Sequence, residues 1–316
     1  MMALLPCQYY EIKRYYQHKY LIADMYAVQL KGQEDEQIRF FNWWKADSHS
    51  MWLHDFIVKR GLLDDSTKTI ALCSVFGEKD MLELVDADVR IFFSGENLHN
   101  PRHAHFAGYM LDGKRPFDLG IGFDYFENER YLRFPLWLTY MFAPDASEVD
   151  ICKKCEQLRF PELGSRNKHA ALIARADWNG MRGILADKMS EFGKVDYPSA
   201  FRHNDDSLVQ SFHDNKVAYL KQYKYNICPE NTNAVGYVTE KLFESIEAGC
   251  VPVYWGAYDN PEPDVLNRDA IVMGEGNMNY DRYDEFVQLP RLKDAAESVI
   301  CGYFESLENK LKEILA

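Results

Sequence analysis

The chain has 316 residues, 47% hydrophobic and 27% charged, and 36 basic against 49 acidic residues give a net charge of −13. Such a composition argues against wholesale disorder, and without any run of 18 apolar residues no membrane-spanning helix is expected. The acidic balance disfavours bulk nucleic-acid binding, which needs a basic surface to displace counterions, but it leaves room for one small anion gripped by local cations.

The first 35 residues, rich in Tyr, Lys and Gln, read as a helical or irregular preamble without a secretory-signal pattern. Ile38-Arg39-Phe40-Phe41 reads as a short strand running into Asn42-Trp43-Trp44, with helix-like sequence onward to Lys59. Thr69 to Phe76, Val89 to Phe93 and Phe117 to Phe123 are further strand candidates, the second breaking sharply at Ser94-Gly95-Glu96-Asn97. The charged stretch Pro144 to Ser165 is the linker candidate, dividing the chain into domains 1–150 and 151–316. Beyond it come a strand at His169 to Ala174, a helix at Asn179 to Phe192 and a strand at Tyr223 to Cys228. A helix at Thr239 to Ala248 ended by Gly249, a strand at Cys250 to Trp255 and a terminal amphipathic helix at Leu292 to Ala316 complete the series. Short strands alternating with helices predict parallel α/β layers, in two domains facing a cleft.

Seven cysteines at irregular spacing do not form a disulfide framework, so reduced, buried thiols and a cytoplasmic location are expected. Cys152-Lys153-Lys154-Cys155 lacks the second ligand pair that a closed zinc site needs.

The most informative segment is Tyr223 to Gly256, which parses as strand, polar loop, helix and strand. In open α/β sheets, ligands bind beyond the carboxyl ends of strands, where helix N-termini favour anions. Lys241 falls in the first turn of its helix, where the macrodipole disfavours a cation; a bound phosphate would resolve that mismatch, and an ion pair with Glu244 or a solvated lysine is the alternative. Arg182 repeats the pattern after Asp177-Trp178-Asn179, and the two cations together suggest a grip on a diphosphate. Glu96 follows its strand at once, the place for a general base; capping of the next element or simple exposure is the alternative. Asp86-Ala87-Asp88 matches a metal-holding D-x-D but precedes its strand, at the wrong end of the sheet. His99, His103 and His105 cluster in a loop that suits an acceptor segment better than a metal site, and Gly120-Ile121-Gly122 lacks the third glycine of a dinucleotide fingerprint.

The segment ENTNAVGYVTEKLFESIEAGCVPVYWG, Glu230 to Gly256, resembles the donor motif of the α1,3/4-fucosyltransferases, glycosyltransferase family 10. Pro229 stands where the family usually has an aromatic residue. Asn42-Trp43-Trp44, Ser94-Gly95-Glu96-Asn97, Ile121-Gly122-Phe123-Asp124 and Arg130-Tyr131-Leu132-Arg133 resemble the bacterial members in the same order. The resemblance implies a GT-B architecture of two Rossmann-like domains, with the acceptor site mainly N-terminal and the donor site C-terminal. It implies inverting transfer of fucose from GDP-fucose to the N-acetylglucosamine of an N-acetyllactosamine-type glycan, giving a Lewis-antigen-type product with α1,3 or α1,4 linkage. Glu96 then corresponds to the general base and Arg182 and Lys241 to the diphosphate cations. Asn231, Tyr237 and Glu240 would contact nucleotide or fucose, and Trp43, Trp44 and Tyr125 would stack on sugar faces or pack in the core. No metal and no further cofactor is expected. Some relatives end in a basic tail that docks on the membrane; Ala316 ends this sequence without one, so peripheral contact at the inner membrane face stays an open expectation. The residues leave two alternatives, a GT-B transferase of another GDP-sugar and a non-catalytic sugar- or nucleotide-binding protein.

Overall fold

The computed structural model describes residues 6–44, 49–63, 66–110, 117–274 and 282–316. The chain forms two compact units, the first taking Met1–Gly122, Phe126–Leu132 and Asn309–Ala316, the second Phe123–Tyr125 and Arg133–Glu308. The expected boundary at residue 150 falls inside a helix of the second unit. Pro144 to Ser165 is no linker: Glu148–Arg159 is an α-helix started by a capping box, in which Ser147 accepts from the Asp150 N–H and Asp150 reaches back to Ser147. The S-x-x-D spacing satisfies two helix-start donors reciprocally, a signal hidden by the charge of the stretch.

The first unit holds a five-stranded sheet, β1 (Ile38–Phe41), β2 (Ile70–Cys73), β3 (Val89–Phe93), β4 (Leu119–Gly122) and β5 (Tyr131–Arg133, whose last residue counts with the second unit), in chain order across the sheet. β1 to β4 are parallel. β2 and β4 are buried along their whole length, as expected where both faces of a parallel sheet are covered. The predicted preamble contains one long helix, Pro6–Leu30, whose Ile22 enters the core with Met25, Tyr26 and Leu30 against it. Gly120 and Gly122 serve packing: a Cβ on Gly122 would meet Met110 Sδ at 2.5 Å.

The second unit holds another five-stranded sheet: β6 (Lys168–Ala171), β7 (Val195–Asp196), β8 (Tyr223–Ile227), β9 (Val251–Tyr254) and β10 (Val272–Met273). Its order is β10-β9-β8-β6-β7, and all four neighbouring pairs are parallel. After β6 the chain adds β7 on one side, then crosses back and builds β8, β9 and β10 outward on the other. β6 and β8 therefore flank the point where strand order reverses. The helix Glu240–Glu247 that connects β8 to β9 buries Leu242, Phe243, Ser245 and Ile246. Its Phe243 stacks on the fully buried Trp137 at 3.9 Å between centroids, a pair that adds about 0.5–1.5 kcal/mol beyond burial. Gly249 closes the helix at φ +73°, a conformation only glycine adopts cheaply.

Candidate active site

A pocket opens at the reversal point, between the residues that follow β6 (Leu172, Ile173) and those that follow β8 (Cys228, Pro229). Crevices form there because neighbouring strands send their connections to opposite sides. Arg182, Lys216, Glu240, Lys241, Glu244 and Asn226 line it.

Lys241 stands in the first turn of Glu240–Glu247, as the periodicity predicts, but its partners differ from the expected ones. Its ammonium lies 3.3 Å from Glu230 Oε2 and 3.6 Å from Glu240 Oε1, and donates to Thr239 Oγ1 at 2.8 Å. Burial works against the charged ammonium, yet Glu240 and Glu230 outweigh it and hold its pKa above the ordinary value. The cation against the macrodipole is thus answered by two carboxylates, neither of them Glu244. Glu230 is buried; burial lifts its pKa while Lys241 and the Thr239 donors pull it down. Glu240 is held below the usual range: burial alone would raise it, and Lys241 and Lys216 more than compensate.

Arg182 is in the first turn of Met181–Ser190, whose start is capped by Asp177: its carboxylate accepts from the N–H groups of Arg182 at 3.2 Å and Gly183 at 2.8 Å. The guanidinium donates to the Ala176 carbonyl and, at 2.8 Å, to Asn231 Oδ1. Asn231 also accepts from Asn179 through its carbonyl, so the donor-motif loop is tied to this helix start. At both helix starts a resident carboxylate already answers backbone N–H groups, Asp177 at one and Glu230 at the other, where Thr239 N–H donates at 2.7 Å. Two carboxylates (Glu240, Glu244) line the pocket with three cations (Arg182, Lys216, Lys241), and Glu230 stands behind Lys241, so much of the local positive charge expected from sequence is answered in place. Grip on an anion would rest on directed donors rather than on a net positive field.

Tyr237 is buried, its ring 5.0 Å from that of Phe123. Tyr125 is half exposed beside Gly236, with the Arg133 guanidinium 4.2 Å over its ring. It belongs to the second unit, whereas Trp43 and Trp44 belong to the first, so the three predicted stacking residues do not form one cluster within a unit.

Glu96 stands in the first unit, half-buried, three residues beyond the end of β3, in a turn where Ser94 Oγ accepts from its N–H at 3.1 Å and donates to its carbonyl at 3.0 Å. Trp43 and Trp44 follow β1 and stack at 4.5 Å, with Phe93 5.6 Å from Trp44 and Phe76 6.1 Å from it. Trp43 Nε1–H donates to the Ser50 carbonyl at 2.7 Å, fixing the plate. Carboxylate and aromatic plate thus share the carboxyl edge of the sheet. Asp88 lies at the opposite edge, where its carboxylate accepts from Thr69 N and Oγ1 at 2.7 and 2.9 Å. His103 opens the short helix Ala104–Phe106 and His105 packs 4.3 Å from the Phe106 ring; Leu98 to Met110 of the His-bearing segment is described, the rest lies outside the described residues. Cys155 is buried within Glu148–Arg159, where burial lifts its thiol to about 12. Among the described residues no group of three or more His, Cys, Asp or Glu is placed to hold a metal.

Sequence reasoning missed Glu230, Thr239 and Lys216 as parts of this arrangement, whereas Asp177 falls in the stretch expected to cap the Arg182 helix, and Glu244 pairs with Lys216 instead of Lys241. Glu230 and Thr239 lie inside the quoted motif, but their bond spans nine positions across an irregular loop. Lys216 comes from the first position of the short helix Lys216–Leu220, which no periodicity marked.

Residues 38–140 match the Alpha-(1,3)-fucosyltransferase FucT N-terminal domain, and residues 163–289 match the Glycosyltransferase family 10 (fucosyltransferase) C-terminal model. The Alpha-(1,3)-fucosyltransferase FucT of Helicobacter pylori is 28% identical over 194 residues, 53% of this chain and 37% of that protein. Alpha-(1,3)-fucosyltransferase B of Drosophila melanogaster is 24% identical over 159 residues, 46% of this chain and 35% of that one. The chain thus matches little more than a third of these relatives' length. A crystal structure of an alpha1,3-fucosyltransferase superposes with TM-score 0.53 at 19% identity, covering 86% of this chain and 89% of that one. A second, of an alpha1,3-fucosyltransferase with GDP-fucose, gives TM-score 0.50 at 18% identity with the same coverage. At such identities the likeness carries the fold alone, which is of the GT-B class. With both family models matched in order along the chain, the protein belongs to glycosyltransferase family 10, the fucosyltransferases.

Proposed function

We propose that the protein is an inverting α1,3-fucosyltransferase that moves L-fucose from GDP-fucose to the N-acetylglucosamine of an N-acetyllactosamine-type acceptor. The single observation that carries the reading is the pocket at the β6/β8 reversal, lined by Arg182 and Lys241 from the first turns of two helices. Its donors suit a diphosphate, and the solved relative with GDP-fucose makes that nucleotide sugar the first candidate.

In single displacement the acceptor hydroxyl attacks the anomeric carbon, the bond to the β-phosphate breaks, and the hydroxyl proton leaves. Glu96 takes that proton, a contribution of roughly 10²–10⁴-fold for a positioned base. Negative charge grows on the departing GDP, where the Arg182 guanidinium and Lys241 ammonium stabilise it best if fixed beforehand. Both are fixed: one by Asn231 and the Ala176 carbonyl, the other by Glu230, Glu240 and Thr239. The Trp43–Trp44 plate offers an apolar face to an acceptor sugar on the sheet edge that carries Glu96.

A calorimetric panel of GDP, GDP-fucose, GDP-mannose and UDP-galactose tests the reading. GDP-fucose and GDP should bind, with the uridine sugar silent. Equal binding of GDP-mannose would move the assignment to another GDP-sugar, and no binding of GDP would sink it.

A further inference from the structure

We infer that Glu230 is a positioning residue of the transfer reaction, a buried carboxylate whose task is to hold the Lys241 ammonium and the start of its helix in the place where the diphosphate is met. The inference rests on the reading of Lys241 as a diphosphate ligand.

Glu230 is 1% exposed, and four donors converge on it. Thr239 N–H and Oγ1–H donate at 2.7 and 2.8 Å, one to each oxygen; Lys241 Nζ stands 3.3 Å from Oε2, and Tyr254 O–H 3.5 Å from Oε1. A carboxylate with its lone pairs so occupied is fixed, and it can hold whatever depends on it. Thr239 is the N-cap residue of Glu240–Glu247 yet makes no side-chain cap bond of its own. Its hydroxyl is turned instead to Glu230 and accepts from Lys241. The negative charge beside the helix start is supplied from a loop nine residues upstream, and it matches the macrodipole there.

The loop end is anchored in turn, since Glu230 N–H donates to the Trp255 carbonyl at 2.8 Å just beyond β9. Gly256 then has to be glycine: its φ is +152°, and a Cβ there would stand 2.7 Å from Tyr254 Oη and 2.8 Å from Glu230 Cγ. Five positions that look like separate letters of the motif, Glu230, Thr239, Lys241, Tyr254 and Gly256, are therefore one buried constellation around a single carboxylate. Only Lys241 in it lines the pocket.

The charge of Glu230 opposes an incoming diphosphate, so its role is in orientation rather than affinity. Glu230→Gln keeps the shape and an acceptor for Thr239 but releases the ammonium. With GDP-fucose and N-acetyllactosamine as substrates, kcat should fall roughly tenfold to a hundredfold, the scale of a misplaced catalytic contact. GDP affinity by calorimetry should stay within about threefold or tighten, because uniform binding is untouched. Thr239→Val, isosteric and uncharged, should give the same split if the glutamine variant fails to fold. A parallel loss of kcat and GDP affinity would mark Glu230 as merely structural and overturn the inference, as would an unchanged kcat. Lys241→Met separates this from the reading beneath it. If that variant binds GDP like the parent, the diphosphate reading falls; if it binds GDP weakly while Glu230→Gln turns over normally, only the positioning role falls.

Discussion

The two sheets have the same number of strands and differ in where the chain turns back. In the first unit strand order equals chain order, β1 to β5, so no reversal opens a crevice within the sheet. Its carboxyl edge carries an aromatic plate and one carboxylate, Trp43 stacked on Trp44 beside Phe93, with Glu96 three residues on. In the second unit the reversal between β6 and β8 opens a pocket lined by charges of both signs. Topology thus separates two kinds of chemistry. On the reading proposed here, the first sheet supplies stacking and proton removal, and the second supplies directed donors for the leaving group.

Variants on each side should fail differently. The largest effect belongs to Glu96→Gln, which should lower transfer by roughly 10²–10⁴-fold while GDP-fucose still binds. Transfer within tenfold of the parent in a radiolabel assay would break the division at its first-unit side. Lys241→Met comes next and should weaken GDP by about 10-fold, the scale of one charge-assisted contact. It should also lower folding stability by about 3–5 kcal/mol, because Glu230 and Glu240 lose their shared cation. Chemical denaturation checks the second part, and an unchanged midpoint would mean the carboxylates take protons instead. Trp43→Ala should raise the acceptor KM by about 5-fold with GDP affinity untouched, since stacking on one sugar face is worth about 1 kcal/mol. A change in GDP affinity there would blur the division.

The smallest effect is a pH dependence confined to the second unit. Burial lifts the Glu244 carboxyl from an ordinary 4.5 to about 7, against the pull of Lys216, whose Nζ lies 3.4 Å from its Oε1. The folded protein therefore holds this proton more tightly than the unfolded chain. That contribution to stability is fully present below about pH 4.5 and is lost as pH rises through about 7. Between pH 6 and 8.5 the parent should lose about 1–2 kcal/mol relative to Glu244→Gln in denaturant titrations. Parallel pH curves would mean that Glu244 keeps an ordinary pKa.

Much of this division is legible in the sequence. Ile38–Phe41 and Val89–Phe93 are strands at their predicted bounds, because short apolar runs with sharp polar ends have few other ways to fold. The donor helix is one residue shorter at each end than Thr239 to Ala248, with Thr239 as its cap residue. Glu148–Arg159 was hidden because its exposed face is charged and only Ile151, Cys155 and Leu158 are buried. Spacing places Lys241 and Arg182 in first turns, yet their partners are set by tertiary approach. Nothing in a one-dimensional pattern tells that a glutamate nine residues before Thr239 folds back onto it. Nor does composition tell that carboxylates stand against the pocket lysines, Glu230 and Glu240 at Lys241 and Glu244 at Lys216. A net charge of −13 describes the whole chain, whereas the pocket is lined by Arg182, Lys216 and Lys241 with Glu240 and Glu244 among them.

The central claim is single displacement, with Glu96 on the acceptor side and GDP leaving from the second unit. Its most direct test is the proton NMR spectrum of the product formed from β-linked GDP-fucose and N-acetyllactosamine. The predicted product is a trisaccharide with fucose α-linked to O3 of N-acetylglucosamine, the inverted configuration. A β-linked fucose would mean retention, by a double displacement or a front-face route, and would contradict the account of single displacement.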